Sequence, residues 1–278
     1  MSATKENSVK QEHHLAKLGI IAGSGTLPRD LVQRVQGQNI ECHVIGFKPH
    51  TNYVTPDVWG EVGRASKILS YLKAHEVKNL VFIGNVGTPN IRSLRLDWVT
   101  LKFFIATWWR SFGDSNVLSS ARNALEVMDF NLIGIHHFLP ELLMAEGLLG
   151  RVEVASTHHA DIELGINEAL SLGQRDRGQA VIVKEGKIIA RENKKGTNHM
   201  IKHHGQAGAI LVKLCKPQQD HDLDLPTIGP KTLHHCTEKN MAGVVGHAGK
   251  MLVAEQGAVR QLADDKGLFV WGYKDADA

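Results

Sequence analysis

The sequence predicts an α/β protein of two domains, a doubly wound parallel sheet followed by a mixed α/β domain. Three observations carry this expectation. Short apolar runs alternate with segments of helical periodicity through the first half. A Glu-Gly turn between two β-rich runs marks a hairpin in the second half. The chain has 278 residues, 42% hydrophobic and 22% charged, which is globular and long enough for two cores.

The elements follow in order. Leu18–Ala22 is an apolar run and reads as a strand, closed by the turn Gly23-Ser24-Gly25-Thr26-Leu27-Pro28. A helix is predicted from Pro28, because proline suits a first helical turn, and it continues through Leu31, Val32 and Val35. Cys42–Phe47 is a second strand, and Ala65–His75 a second helix through Ile68, Leu69 and Leu72. Leu80–Gly84 is a third strand, Asp97–Trp109 and Val117–Met128 are helical, and Asn131–His136 is strand-like. The first domain is predicted over 15–138, a linker over 139–152, and the second domain over 153–274. Residues 1–14 read as a disordered polar tail without the apolar core of a secretory signal. In the second domain a helix is expected from Asp161 to Leu172, then a hairpin from Gln179 to Ala190 that turns at Glu185-Gly186.

Composition excludes several classes. A net charge of +3, with basic residues scattered apart from Lys194-Lys195 and Arg92/Arg95, does not point to nucleic acid. Cys42, Cys215 and Cys236 show neither metal nor redox spacing, and their odd, sparse count fits a reducing compartment. The apolar stretch Trp98–Trp109 is broken by Lys102 and is too short to span a bilayer. A cytoplasmic location is expected.

The string from Leu211 to Pro230 is the most informative. A strand-like run delivers Lys213, Lys216 and Pro217, then Asp220, Asp222 and Asp224, then Pro226 and Ile228-Gly229-Pro230. If the backbone is extended, carboxylates two apart point to one side, and such a row of hard oxygens suits a divalent cation. A solvated acidic loop is the plain alternative.

The glycine turn after the first strand invites an anion, because N–H groups at a helix start bind phosphate. A dinucleotide fingerprint would need glycine where Pro28 stands and an acid near Gly46-Phe47-Lys48. A nicotinamide-dependent oxidoreductase is therefore disfavoured. Asp114 or Ser115 reads as a helix cap, and Asp176-Arg177-Gly178-Gln179 as a turn. Gly196-Thr197-Asn198 opens a helix that Thr197 or Asn198 is expected to cap, or whose N–H groups suit a phosphate. Five adjacent histidine pairs do not converge on one ion, so zinc is not indicated.

Lys17–Pro28, Gly113-Asp114, Gly178–Val183, Glu192 with Gly196-Thr197, and Lys216-Pro217-Gln218-Gln219-Asp220 with Asp224–Pro230 occur in that order. Taken together they resemble the LpxI-type UDP-2,3-diacylglucosamine pyrophosphatases of lipid A biosynthesis. The resemblance runs from Lys17 to Gly272. It implies an N-terminal Rossmann-like domain, a distinct C-terminal domain, and Mg²⁺-dependent hydrolysis to UMP and 2,3-diacylglucosamine 1-phosphate. Asp220, Asp224 and Lys216 are the expected catalytic residues, with Asp220 and Asp224 as Mg²⁺ ligands. Substrate contacts are expected from Gly23, Ser24, Gly25, Thr26, Leu27 and Asp114. Others are expected from Gln179, Gly196, Thr197, Asn198, Lys213, Gln219, Thr227 and Gly229. Lys213 or Lys216 would stabilise charge on the leaving phosphate. The Trp98–Trp109 stretch, with Phe103 and Phe104, is a candidate acyl groove or else a core helix. Peripheral contact with the inner membrane is expected, and a homo-oligomer is left open.

The chain also departs from the family pattern. Ser115, Lys195 and Asn198 replace acids, Asp222 replaces an arginine, and His247 replaces a glutamate. Fewer carboxylates weaken metal binding, and an aspartate for an arginine removes a phosphate clamp. A weakened enzyme, or a paralogue that only binds a nucleotide sugar or lipid phosphate, is the alternative.

Overall fold

The computed structural model describes residues 15–61, 64–84, 122–123 and 125–275. The chain divides into two compact units, residues 1–109 with 121–138, and residues 110–120 with 139–278. The helix expected at Asp97–Trp109 and half of that expected at Val117–Met128, and with them the candidate acyl groove, Asp114 and Ser115, lie outside the described residues.

The first unit is built on a five-stranded parallel sheet in the order β3-β2-β1-β4-β5. Its strands are β1 (Lys17–Ala22), β2 (Glu41–Phe47), β3 (Val58–Gly60), β4 (Asn79–Ile83) and β5 (Asn131–Leu132). Helix α1 (Leu27–Gly37) buries Leu27, Leu31 and Val35, the spacing of one helical face. Helix α2 (Ala65–Ala74) buries Leu72. The central strand β1 is buried from Leu18 to Ala22, as expected of a strand covered on both faces. Two details depart from expectation. The strand predicted over Asn131–His136 stops at Leu132, and Ile135–His137 forms a 3₁₀ turn instead. The short β3 has only three residues and no alternating apolar signal.

The second unit holds a six-stranded mixed sheet in the order β6-β13-β11-β9-β7-β8. Strands β9 (Ile210–Lys213), β11 (Gly243–His247) and β13 (Phe269–Tyr273) are parallel. Strands β7 (Ala180–Lys184), β8 (Lys187–Arg191) and β6 (Gly147–Leu148) join antiparallel. A small parallel pair, β10 (Thr227–Ile228) with β12 (Leu252–Val253), lies beside it. The segment expected as a linker is built into this unit. Gly147–Leu148 pairs with β13, and Met144 is a core residue whose N–H donates to Met251. Met144 is large, apolar and buried, which makes the segment more than a tether.

The period of two along the strands separates two cores. Ile182, Leu211, Val244 and Val270 pack on one face with residues of α4 (Thr197–His204), α5 (Pro230–Glu238) and α6 (Gln256–Lys266). Val181, Val183, Ile210, Val212, Val245 and Phe269 pack on the other with α3 (His159–Gln174). The hairpin turns at Glu185 (φ 50°) and Gly186 (φ 71°), the left-handed pair of a type I′ turn. Buried Asp161 of α3 accepts both turn N–H groups, from Glu185 at 2.8 Å and Gly186 at 2.6 Å. Helix and hairpin are thereby stapled.

Candidate functional site

Strand directions decide where the chemistry collects. The parallel strands β9, β11 and β13 end at Lys213, His247 and Tyr273, while antiparallel β7 begins at Ala180 opposite Lys213. Strand β8 runs antiparallel to β7, so its exit toward Glu192 lies at that same edge. Ligands of α/β sheets bind outside the carboxyl ends of such strands.

Two helices start at this edge. Gly196, with φ 83°, precedes α4, and Gly229 precedes α5, whose first turn opens with Pro230. Neither start has a side-chain cap hydrogen bond among the described residues. At α5, Pro230 has no N–H and the Thr232 N–H donates to the Gly229 carbonyl at 3.0 Å, so the first-turn N–H groups without an intrahelical partner are chiefly those of α4. The Thr232 hydroxyl donates to Asn198 Oδ1 at 3.3 Å, holding the two first turns together. Paired positive helix ends make an anion cradle.

Glu192 organises the approach to α4. It accepts the Gln179 N–H at 2.9 Å on one oxygen and the Thr197 hydroxyl on the other. Gly178, with φ 148°, permits this, since a Cβ there would lie 2.9 Å from the Glu192 carbonyl oxygen. Gln179 also presents a buried side-chain oxygen that has no partner among the described residues.

Lys213, 8% exposed, donates to the Thr227 carbonyl at 2.9 Å and so ties β9 to β10. Burial pushes its ammonium pKa down, and the Glu192 and Asp224 carboxylates oppose that shift. Lys216 is committed elsewhere. Its Nζ donates to Asp176 at 2.6 Å, an acid the sequence reading assigned only to a turn.

The acidic string is not extended. Residues 221–223 form a turn, with the Asp220 carbonyl accepting from Leu223 at 3.2 Å and Asp224 at 2.9 Å. Asp220 Oδ1 accepts the Asp222 N–H at 3.0 Å, which closes the turn locally. The row of carboxylates expected from alternation is therefore replaced by carboxylates grouped on one turn. Gln219 donates its amide to Asp224 at 2.8 Å and accepts the Lys216 N–H at 3.1 Å. The donors here are carboxylate oxygens, which suit Mg²⁺. Cys215 Sγ lies 3.5 Å from His221 Nε2, and burial pushes its pKa up to about 11, so it is held as a thiol.

Of the predicted site residues, Gln179, Gly196, Thr197, Asn198, Lys213, Lys216, Gln219, Asp220, Asp224, Thr227 and Gly229 belong to this edge of the second unit. Glu192, Thr232 and Asp176 were given no site role by the sequence. Their partners lie 5 to 40 residues away, and only the partnerships reveal them. Gly23, Ser24, Gly25, Thr26 and Leu27 form the β1–α1 turn of the first unit, where the sheet order reverses between β1 and β4. There Gly23 N–H donates to Ile83, and Gly25 N–H donates to Asn52 at 3.4 Å. Gly84, with φ 86°, packs so closely that a Cβ would lie 2.6 Å from the Ser24 carbonyl oxygen. Thr26 precedes α1 with no side-chain cap hydrogen bond, and Pro28 stands in the first turn.

Family profiles match the chain in two blocks, the LpxI N-terminal domain over residues 17–142 and the LpxI C-terminal domain over residues 145–271. A Caulobacter vibrioides protein named UDP-2,3-diacylglucosamine pyrophosphatase LpxI is 33% identical over 275 residues, covering 93% of this chain and 98% of its own. With the parallel-sheet and mixed-sheet units in place, the assignment is direct: this chain belongs to the LpxI family.

Proposed function

We propose that the protein hydrolyses the pyrophosphate of UDP-2,3-diacylglucosamine, giving UMP and 2,3-diacylglucosamine 1-phosphate. The observation that carries this reading is the pair of uncapped helix starts joined by Thr232 and Asn198, at the edge that also holds Lys213 and the acidic turn. A dianionic phosphate is matched by outward N–H groups and a buried ammonium. Asp220 and Asp224 would hold Mg²⁺, which supplies charge neutralisation and lowers the pKa of bound water. Lys213 places a positive charge beside Asp224 without leaving the strand end. Gln219 orients Asp224 through its amide, and Glu192 holds the first turn of α4 in register with β7. In the reaction water adds to one phosphorus, the bridging P–O bond breaks, and the departing phosphate leaves with the electron pair.

The diacyl substrate resides at a membrane face, so peripheral, cytoplasmic-side contact with the inner membrane belongs to this reading. No helix among the described residues is long and apolar enough to cross a membrane. Incubation with UDP-2,3-diacylglucosamine and Mg²⁺ should release UMP, and EDTA should stop release. Absence of UMP while a nucleotide sugar still binds by calorimetry would replace this reading with that of a binding paralogue. The Lys216–Asp176 ion pair and Asp222 favour that second reading, because both leave less positive charge for phosphate. NADH binding in the same calorimeter would support a nicotinamide enzyme instead.

A further inference from the structure

We propose that His247 is a positioning residue for the acidic turn, oriented by Asp275 and Lys250 from the end of the chain. The inference deepens the pyrophosphatase reading and rests on it for its kinetic arm.

His247 closes β11 and is 3% exposed. Its Nδ1 accepts the backbone N–H of Cys215 at 3.3 Å. A ring nitrogen that accepts carries no proton, so the proton sits on Nε2, which donates to Asp275 Oδ2 at 3.0 Å. Lys250 Nζ donates to the same oxygen at 2.6 Å. The carboxylate is thus held by two donors, and the imidazole is held by the carboxylate. This is the arrangement by which a histidine's tautomer and ring plane are set.

What the imidazole holds is the point where the chain leaves the sheet. Lys213 is the last residue of β9 in register with β11, opposite Gly246. The next N–H, of Leu214, turns to Gln179 on the β7 side at 2.9 Å. The following one, of Cys215, meets a side chain on the β11 side instead of a backbone carbonyl. The ladder ends there, and residues 216–224 are released as a loop.

From Cys215 the bonding continues to the acidic turn. The Lys216 N–H donates to Gln219 Oε1, and Gln219 Nε2 donates to Asp224 Oδ2. A short path of hydrogen bonds and one peptide unit therefore links Asp275 through His247, Cys215 and Gln219 to Asp224. Side chains that hold a site's own ligands in place must themselves be locked, and here the lock is a buried histidine. A polar side chain with both ring nitrogens satisfied inside the core has little freedom to shift.

Two substitutions separate the halves of the imidazole. His247→Asn places an amide oxygen near the Nδ1 position, keeping an acceptor for Cys215. His247→Gln reaches the Nε2 position, keeping a donor for Asp275 and losing the acceptor. With UDP-2,3-diacylglucosamine and Mg²⁺, the Gln variant should lose about tenfold or more in kcat with KM little changed. The Asn variant should stay within about threefold of wild type. Asp275→Ala, near the chain end, should fall between them. Hydrogen–deuterium exchange on the full chain supplies a second readout. The segment containing Cys215 should exchange faster in His247→Gln and at the wild-type rate in His247→Asn. Equal kinetic losses in Asn and Gln, or unaltered exchange at Cys215 in the Gln variant, would overturn the proposal. If wild type itself releases no UMP, the pyrophosphatase reading fails, and the exchange comparison still decides the tether.

Discussion

The backbone N–H of Gln179 donates to Glu192 Oε2 at 2.9 Å, while the other oxygen of that carboxylate takes the Thr197 hydroxyl. One side chain thus joins the start of β7 to the start of α4. Glu192→Ala should leave a buried N–H and a buried hydroxyl unpaired and cost about 2–5 kcal/mol, read from urea unfolding. Glu192→Gln retains one acceptor and should cost less. Equal stability of all three proteins would show that the buckle carries no weight.

Asp220 is the second test. Asp220→Ala should lower kcat by roughly a thousandfold while nucleotide-sugar affinity survives, because the nucleotide contacts proposed for the helix starts do not use the Asp220 carboxylate. Turnover within about tenfold of wild type, or ~1.4 kcal/mol of barrier, would make Asp220 a turn-former only.

The two lysines should behave differently. Lys213→Met keeps the buried stem, yet removes both the Thr227 hydrogen bond and a positive charge beside Asp224. It should reduce kcat/KM by about a hundredfold. Lys216 is engaged by Asp176, and Lys216→Met should reduce kcat/KM by about tenfold at most. The reverse ranking in a side-by-side assay would place the phosphate contact on Lys216.

Acid should loosen the second unit through His247. Burial pushes its pKa below the ordinary 6.5, against the opposing pull of Asp275. A depressed folded-state value means stability is fully present above 6.5 and is lost as pH falls through the lower folded value. Asp275 acts in the same sense further down. Burial opposes ionisation, but bonds from Lys250 and His247 outweigh it and hold its pKa below 3.8. Lys250, His221 and the Tyr273 ring complete the surroundings of the imidazole. Thermal unfolding measured from pH 7.5 downward should therefore show a decline that His247→Gln flattens. Parallel curves for the two proteins would remove His247 from the acid response.

The departures at Asp222 and Asn198 can be reversed. Asp222 contributes its N–H to the turn, and Asn198 accepts from Thr232, so arginine and aspartate can keep both bonds. Asp222→Arg with Asn198→Asp should raise kcat/KM by about tenfold if the site is a weakened version of the family's. A fall in kcat/KM, with folding intact, would indicate a site reshaped for another substrate.

Local features were legible in the sequence because their causes are local. Pro28, the Glu185-Gly186 turn and the helix opening after Gly196 each act through their own backbone, whereas the cap expected from Thr197 or Asn198 does not form. Continuous apolar runs likewise announced β7 and β9, which are buried along nearly their whole length as strands covered on both faces are. The acidic string was legible as chemistry and misjudged as geometry. Asp220 bonds to the N–H two residues on, and that short-range bond folds the string into a turn. Strands β11 and β13 went unseen: two glycines interrupt the apolar pattern of β11, and only the tertiary pairing of β11 with β9 and of β13 with β11 and β6 shows both as strands.

Residue types, their order and the two-domain α/β plan were thus determined by the sequence by itself, together with the family resemblance. Tertiary structure alone decided which of those residues act together. Lys216 meets Asp176 across 40 positions, and Cys215 meets His247 across 32. Such pairs carry no periodicity, because sheet order and register, not spacing along the chain, bring their atoms within bonding distance.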